Sequence, residues 1–435
     1  MNLDKLNELL KSMGCKTVYV KSLSANDNSK NQVYFGGGFE ILNILPINEI
    51  KTIEAGDWNK ERFKASLRFS WITDEGLMYC APNSQLILYP KYPEVRFSGF
   101  LLGCEKPPSF LMNQRKAGRL LFISVSAEGV VLGYVVSESS GIAKEFAHRS
   151  NLDEHGVFKS YELNRNANNK SLLLKQLRRI HSLGWIKSKK LDKNGEVVSC
   201  GASNCGGLTL EAELGITPNS FSEPDYMGWE IKQYGVKSFK KTYSKAITLM
   251  TPAPTDGLYK SKGAEYFIRT YGYKDKLGRP DRINFGGIHK VGEPHKNTKL
   301  KLVILGFDTV AGKIRNSNGK IALLDTKNKE AASWSFSSML LHWNKKHNNA
   351  CYVPSLTKNG TEKKYKFGNT IMLGRGADFQ KFLAQMINGS IYYDPGIKLE
   401  NASSNPRKKE RHQFRIKSKF ISALYRSNET IDLLN

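Results

Sequence analysis

The sequence predicts a mostly-β domain over residues 1–150 and a mixed α/β (α+β) domain over residues 166–435, joined by a linker at 151–165. Three observations lead there. Short apolar runs broken by Gly, Pro and Asn fill the first part, the pattern of a barrel or sandwich. A stretch without strong pattern runs from Ser139 to Lys170 and ends in NRNANNK, as a linker would. Only then does a strong helical pattern appear, SLLLKQLRRIHSLGW, followed by the motif EPDYMGWEIK at Glu223–Lys232.

Taken in order, MNLDKLNELLKSMG is a polar amphipathic segment without the apolar core of a signal peptide. Residues Thr17–Phe35 read as strand, polar turn, strand, with Val18 and Val20 alternating against Tyr19 and Lys21. FGGGF at Phe35–Phe39 lacks the lysine and hydroxyl of a nucleotide loop and reads as a turn, so no nucleotide cofactor is expected. Further strands are expected at Ala65–Trp71, Gly76–Cys80, Gln85–Tyr89, Arg119–Ser126 and Val130–Val136. Between two of them, PKYPEVRFSGFL reads as a loop in which Glu94 and Arg96 flank aromatics. Arg pairs with guanine and Glu accepts from cytosine, so such a loop can read bases; the plainer reading is a solvated salt bridge.

The charge is informative. Lys and Arg number 66 against 40 Asp and Glu, a net +26 spread along the whole chain, which is the footprint of a polyanion binder and most simply of nucleic acid. No apolar run approaches transmembrane length, and the expected location is cytoplasmic, with no membrane partner. Six scattered cysteines predict free thiols. Cys200 and Cys205 lack a second pair at finger spacing, so no zinc is expected.

The second domain opens with the helix whose Leu173, Leu177 and Ile180 form an apolar stripe while Lys175, Arg178 and Arg179 face away. GGLTLEAELGI then reads as a glycine turn, a capping Thr209 and a short helix carrying Glu211. In WEIK, strand alternation sends Glu230 and Lys232 to one face and Ile231 to the other, while Asp225 enters from the preceding turn. Two carboxylates and an ammonium at one point are what phosphodiester hydrolysis requires: the carboxylates hold Mg²⁺, and the lysine orients water and offsets charge. The plainer reading is a charged hairpin in a Lys-rich protein. EYFIRTYGYKDKLGRPDRINF and NPRKKERHQFRIKSKF interleave cations with aromatics, as backbone-tracking segments do.

Two resemblances sharpen this. VYVKSLSANDNSKNQVYF resembles the start of the N-terminal effector domain of the EcoRII restriction endonuclease, a DNA-binding pseudobarrel. That likeness implies Lys21 near the DNA and places Glu94 and Arg96 in the base-reading loop. The second half resembles the MvaI/BcnI-type restriction endonucleases, relatives of the mismatch-repair nicking enzyme MutH, through GWI, TLEAELGI, PDYMGWEIK, ITLMTPAP, LHWNKKH and RHQFRI. It implies a PD-(D/E)xK restriction-endonuclease-like fold, catalysis by Asp225, Glu230, Lys232 and Glu211, Mg²⁺ on Asp225 and Glu230, and a DNA contact at Arg415. It further implies a monomeric type II enzyme of a bacterium or archaeon, acting on double-stranded DNA at a short C/G-rich site such as CCWGG or CCSGG and paired with a DNA methyltransferase. A MutH-like nickase and a catalytically inactive DNA-binding regulator are the alternatives.

Overall fold

The computed structural model describes the chain except residues 26–30, 48, 56–60, 92–93, 151, 164–168, 203, 218–224 and 241–245, and the side chains of residues 40 and 344–346. The chain divides into two compact units, Met1–Ser171 and Leu172–Asn435. It is a mixed α+β structure with many sheets. Among the described residues no helix is long and apolar enough to cross a membrane.

The first unit contains two sheets. Seven strands lie in the order Asp153–His155, Phe158–Glu162, Thr17–Leu23, Arg119–Val125, Val131–Val136, Phe69–Ile72, Met78–Cys80; five more run Val33–Gly36, Glu94–Ser98, Gln85–Tyr89, Arg62–Ser66, Ile50–Ile53. Among the described residues these pairings leave two separate sheets and no closed barrel. The N-terminal helix Leu3–Ser12, capped by the Asn2 side chain, buries Leu3, Leu6 and Leu10. They pack with Val18, Val20, Phe122, Leu132 and Phe146, so the alternation read at Val18 and Val20 is a buried face.

Three sequence expectations change here. Ala65–Trp71 is two strands in different sheets, because the chain crosses over at Leu67 and Arg68, where the Leu67 N–H donates to Ser84 O at 3.0 Å. Glu94 and Arg96 lie on a strand, not a loop. The stretch 151–165, expected as a linker, carries Asp153–His155 and Phe158–Glu162, the latter paired with Thr17–Leu23. Its polar composition conceals a buried side: Phe158 and Ser160 are 2 % exposed, and Tyr161 donates through its hydroxyl to Asn7 at 2.8 Å.

The second unit is built on a six-stranded sheet. Asn349–Lys358 is its hub, pairing antiparallel with Lys364–Phe367 and Thr370–Ala377, and parallel with Glu230–Gly235. The helix Asn169–Ser182 buries Leu173, Leu177 and Ile180, the expected stripe, in one core with Ile231, Cys351 and Val353. The helix Cys205–Leu214 begins earlier than the sequence suggested: Gly206 and Gly207 are helical, and Thr209 is a buried mid-helix residue whose hydroxyl donates to Cys205 O at 2.7 Å, not a cap. Cys200 and Cys205 form a disulfide, against the expectation of free thiols throughout; their Cα atoms are 5.8 Å apart where the Val197–Ser199 strand ends and the helix starts. Cys15, Cys80, Cys104 and Cys351 are free.

Candidate active site

A turn sets the geometry. Tyr226 N–H donates to Trp229 O at 2.9 Å and Trp229 N–H returns to Tyr226 O at 2.8 Å. Between them Met227 has φ 47° and Gly228 φ 81°, both left-handed, as a two-residue type I′ hairpin turn demands. Glycine adopts this freely, whereas Met227 does so at a cost of roughly 1–2 kcal/mol. The turn folds Asp225 back beside the following strand, and its Oδ2 accepts the Ile231 N–H at 2.9 Å. The spacing from Asp225 to Glu230 is therefore that of a tight hairpin. Glu223 and Pro224, which open the motif, lie outside the described residues.

The strand Glu230–Gly235 aligns Glu230 with Ala350, Ile231 with Cys351 and Lys232 with Tyr352. Ile231 joins the core with Leu210, Leu214, Cys351 and Val353. Alternation then places Glu230 and Lys232 on the other face. Glu230 is 1 % exposed, and Lys232 Nζ donates to its Oε1 in a close ion pair. A carboxylate this buried needs such a partner. Lys232 keeps 21 % of its side chain exposed, so its ammonium sits at the boundary between the buried carboxylate and solvent.

Glu211 lies on the helix Cys205–Leu214. Its helix packs on the core face that holds Ile231, and the Cβ position of Gly206 on that helix faces the Gln233 side chain. The Glu211 Oε1 lies over Gly207 of its own preceding turn. Among the described residues no three Asp, Glu, His or Cys side chains gather closely enough to hold a metal ion. Asp225, through the Ile231 amide, and Glu230, the residue before it on the strand, thus flank Ile231.

Tyr352 and Tyr425 escaped the sequence reading. Their hydroxyls are hydrogen-bonded at 2.8 Å, and the Tyr425 ring lies 2.4 Å from where a Cβ on Gly374 would be. Gly374 pairs with Ala350, which pairs with Glu230, so two small residues make room for the ring on the Glu230 face. Burial pushes both phenols up in pKa, and the Glu230 charge adds to that push. Nothing in the linear sequence marks residues so far from the motif as its neighbours. Trp229 is another neighbour: the Arg375 guanidinium lies over its ring at 5.3 Å.

The residues expected to touch DNA lie in both units. Lys21 Nζ donates to Ser22 O at 2.8 Å, and burial lowers its pKa. Arg96 pairs with Glu94 at 3.0 Å, reaches Gln32 Oε1 at 3.3 Å and lies over the Tyr89 ring. Arg415 donates to Asp394 Oδ2 at 2.6 Å and to Ala246 O at 3.1 Å.

The family model of the MvaI/BcnI restriction endonucleases matches residues 174–425, more than half of the chain and the whole span from the first helix of the second unit to Tyr425. The chain belongs to the MvaI/BcnI restriction endonuclease family. Among solved structures, it is similar to the restriction endonuclease MvaI bound to its cognate DNA substrate, with 18% identity, a TM-score of 0.46, and 61% of this chain and 99% of that chain covered. It is also similar to MvaI in the absence of DNA, with 19% identity, a TM-score of 0.34, and 61% and 98% covered. No curated protein sequence matches the chain. The MvaI/BcnI match spans Asp225, Glu230, Lys232, Glu211 and Arg415; Lys21, Glu94 and Arg96 lie before it.

Proposed function

We propose that this chain is a Mg²⁺-dependent type II endonuclease that cuts double-stranded DNA at a specific short site. The observation that supports it most directly is the Asp225 carboxylate held to the Ile231 amide beside the Glu230–Lys232 pair, in a chain of this family. Asp225 and Glu230 offer the hard oxygen donors that Mg²⁺ prefers, and Asp225 Oδ1 has no partner among the described residues. When bound, the metal supplies an acidified water and polarises the phosphoryl group. The chain does the rest. Asp225 is fixed before substrate arrives, because its other oxygen is engaged by the backbone. Lys232 neutralises Glu230 in the resting enzyme and, from its position at the boundary with solvent, holds the attacking water and offsets charge on the transition state.

The N-terminal unit, in this reading, is an effector domain of the EcoRII pseudobarrel type that binds the same or a closely related duplex. The KSLSAND run and the Glu94–Arg96 pair, with Arg96 lying over the Tyr89 ring, support it. A C/G-rich target such as CCWGG or CCSGG, a monomeric enzyme and a companion methyltransferase follow from the family likeness.

Incubating the purified chain with plasmid and Mg²⁺ and sequencing the ends tests the reading. Discrete double-strand ends at one recurring site are expected. Nicks alone, or binding without cutting, would overturn it. Comparing one-site and two-site plasmids tests the effector role, which predicts faster cutting of two-site DNA and loss of that difference in Arg96→Ala.

A further inference from the structure

We propose that the Asp275–Asp281 loop of the second unit is a DNA wedge: Leu277 enters a base step of the bound duplex while Lys276 and Arg279 hold the flanking phosphates. This rests on the endonuclease reading above and adds to it a site that distorts the substrate.

The loop joins Tyr273–Lys274 to Arg282–Gly286, two antiparallel strands. Leu277 stands at its tip with 81% of its surface exposed. A single exposed leucine is ordinary; its mounting is not. At the start of the loop the Asp275 side chain, only 3% exposed, accepts the Leu277 N–H at 2.6 Å through Oδ1 and the Asn284 side-chain N–H at 3.0 Å through Oδ2. Arg282 lies 3.4 Å from the same carboxylate and donates to Asn284 Oδ1 at 2.9 Å. At the end of the loop Asp281 accepts the Ser403 N–H and hydroxyl, each at 2.8 Å, and its carbonyl accepts the Ala402 N–H at 3.0 Å. Gly278, at φ 74°, makes the sharp turn between. Both roots are thus braced by buried or bridging carboxylates, so the backbone that carries Leu277 is held in place with its side chain directed outward.

Charge names the partner. The loop, its two strands and the strands Gly396–Glu400 and Arg407–Lys409 of the same four-stranded sheet carry eight Lys and Arg against three Asp and Glu. Lys274, Lys276, Arg279, Arg407, Lys408 and Lys409 are all exposed. A groove of about 420 Å³ runs alongside, lined by Tyr273, Lys276, Leu277, Arg282 and Lys398. An acidic protein would suit the cations, but an aliphatic tip on a braced loop flanked by cations suits the duplex better, where phosphates flank a stack of apolar faces. Apolar side chains inserted at a base step unstack it and bend the helix, and the bend wraps more DNA onto the protein.

The experiment uses the full chain. Wild-type cleavage ends define the site, and 2-aminopurine is then placed in turn at each position of a duplex carrying it, with Ca²⁺ to allow binding without cutting. The wild type is expected to raise fluorescence several-fold at one base step. Leu277→Ala should abolish that rise and slow cleavage while leaving the melting temperature and the cut position unchanged, and Leu277→Met should restore the signal. Lys276→Ala and Arg279→Ala should each lower the salt dependence of binding by about one released ion. A wild-type protein that cuts DNA normally but shows no fluorescence rise, or Leu277→Ala with the wild-type signal, overturns the wedge and leaves the endonuclease standing. A wild-type protein that neither binds nor cuts DNA overturns both.

Discussion

Asp225 accepts a hydrogen bond from the backbone amide of Ile231 at 2.9 Å, so the residue proposed to hold the metal is also a brace for the strand that carries Glu230 and Lys232. The two roles separate by substitution. Asp225→Asn keeps an oxygen to accept the amide but loses the charge; Asp225→Ala loses both. Both are expected to abolish cleavage and retain DNA binding, while only Asp225→Ala loses about 1 kcal/mol of stability. Plasmid cleavage, gel-shift titration and urea unfolding check this, and equal stability of the two variants would count against the brace.

The Glu230–Lys232 pair predicts non-additivity. Lys232→Met takes the ammonium away from a Glu230 side chain that is 2% exposed, and breaking such a pair from one side costs about 3 kcal/mol. Glu230→Gln combined with Lys232→Met should recover much of that loss without recovering cleavage. A double-mutant cycle in urea gives the coupling directly.

The tyrosine pair predicts an effect on rate. Tyr425→Phe removes one hydroxyl from the Tyr352–Tyr425 bond and is expected to cost about 1 kcal/mol, with slower cleavage and unchanged DNA affinity because the Glu230 face repacks. Gly374→Ala is expected to be much worse, since its Cβ would meet the Tyr425 ring at 2.4 Å. Single-turnover rates beside thermal melts separate the two.

Acid should weaken the second unit through His412. Tyr259 donates to Glu410, so it accepts from His412 Nε2 at 3.0 Å, which leaves Nδ1 to accept from Tyr393 at 2.7 Å. This wiring needs a neutral ring, and burial lowers the pKa to about 4, against an opposing pull from Glu410. A folded pKa below the unfolded value means the unfolded chain binds the extra proton first. Stability from this group is therefore complete above the unfolded value of about 6.5 and is lost as pH falls from there towards the folded value of about 4. Melting temperatures of wild type and His412→Asn across that window should converge at the acid end.

Local chemistry was legible in the sequence and long-range pairing was not. The Leu173, Leu177 and Ile180 stripe and the alternation at Ile231 are properties of a few neighbouring residues, and both hold. Ala65–Trp71 read as one strand because its apolar content is continuous; which sheet each half joins is decided by Gln85–Tyr89 and Val131–Val136. Thr209 looked like a cap after two glycines, yet those glycines are helical, one of them facing Gln233 with no Cβ between. The disulfide was missed because composition speaks to compartment and not to a pair of Cα atoms at 5.8 Å. Tyr352 and Tyr425 reach Glu230 only through strand register, which no motif encodes.

The Met227–Gly228 turn makes the length of the motif a gauge. With two residues at its apex and one bridged pair beneath, it measures out the distance between the limb bearing Asp225 and the limb bearing Glu230. A third residue at the apex would leave the core strand untouched but shift the pairing by one position, turning Asp225 away from the Ile231 amide. On the proposed mechanism, a change of length at Met227–Gly228 is therefore expected to be as consequential as a change of charge at Asp225.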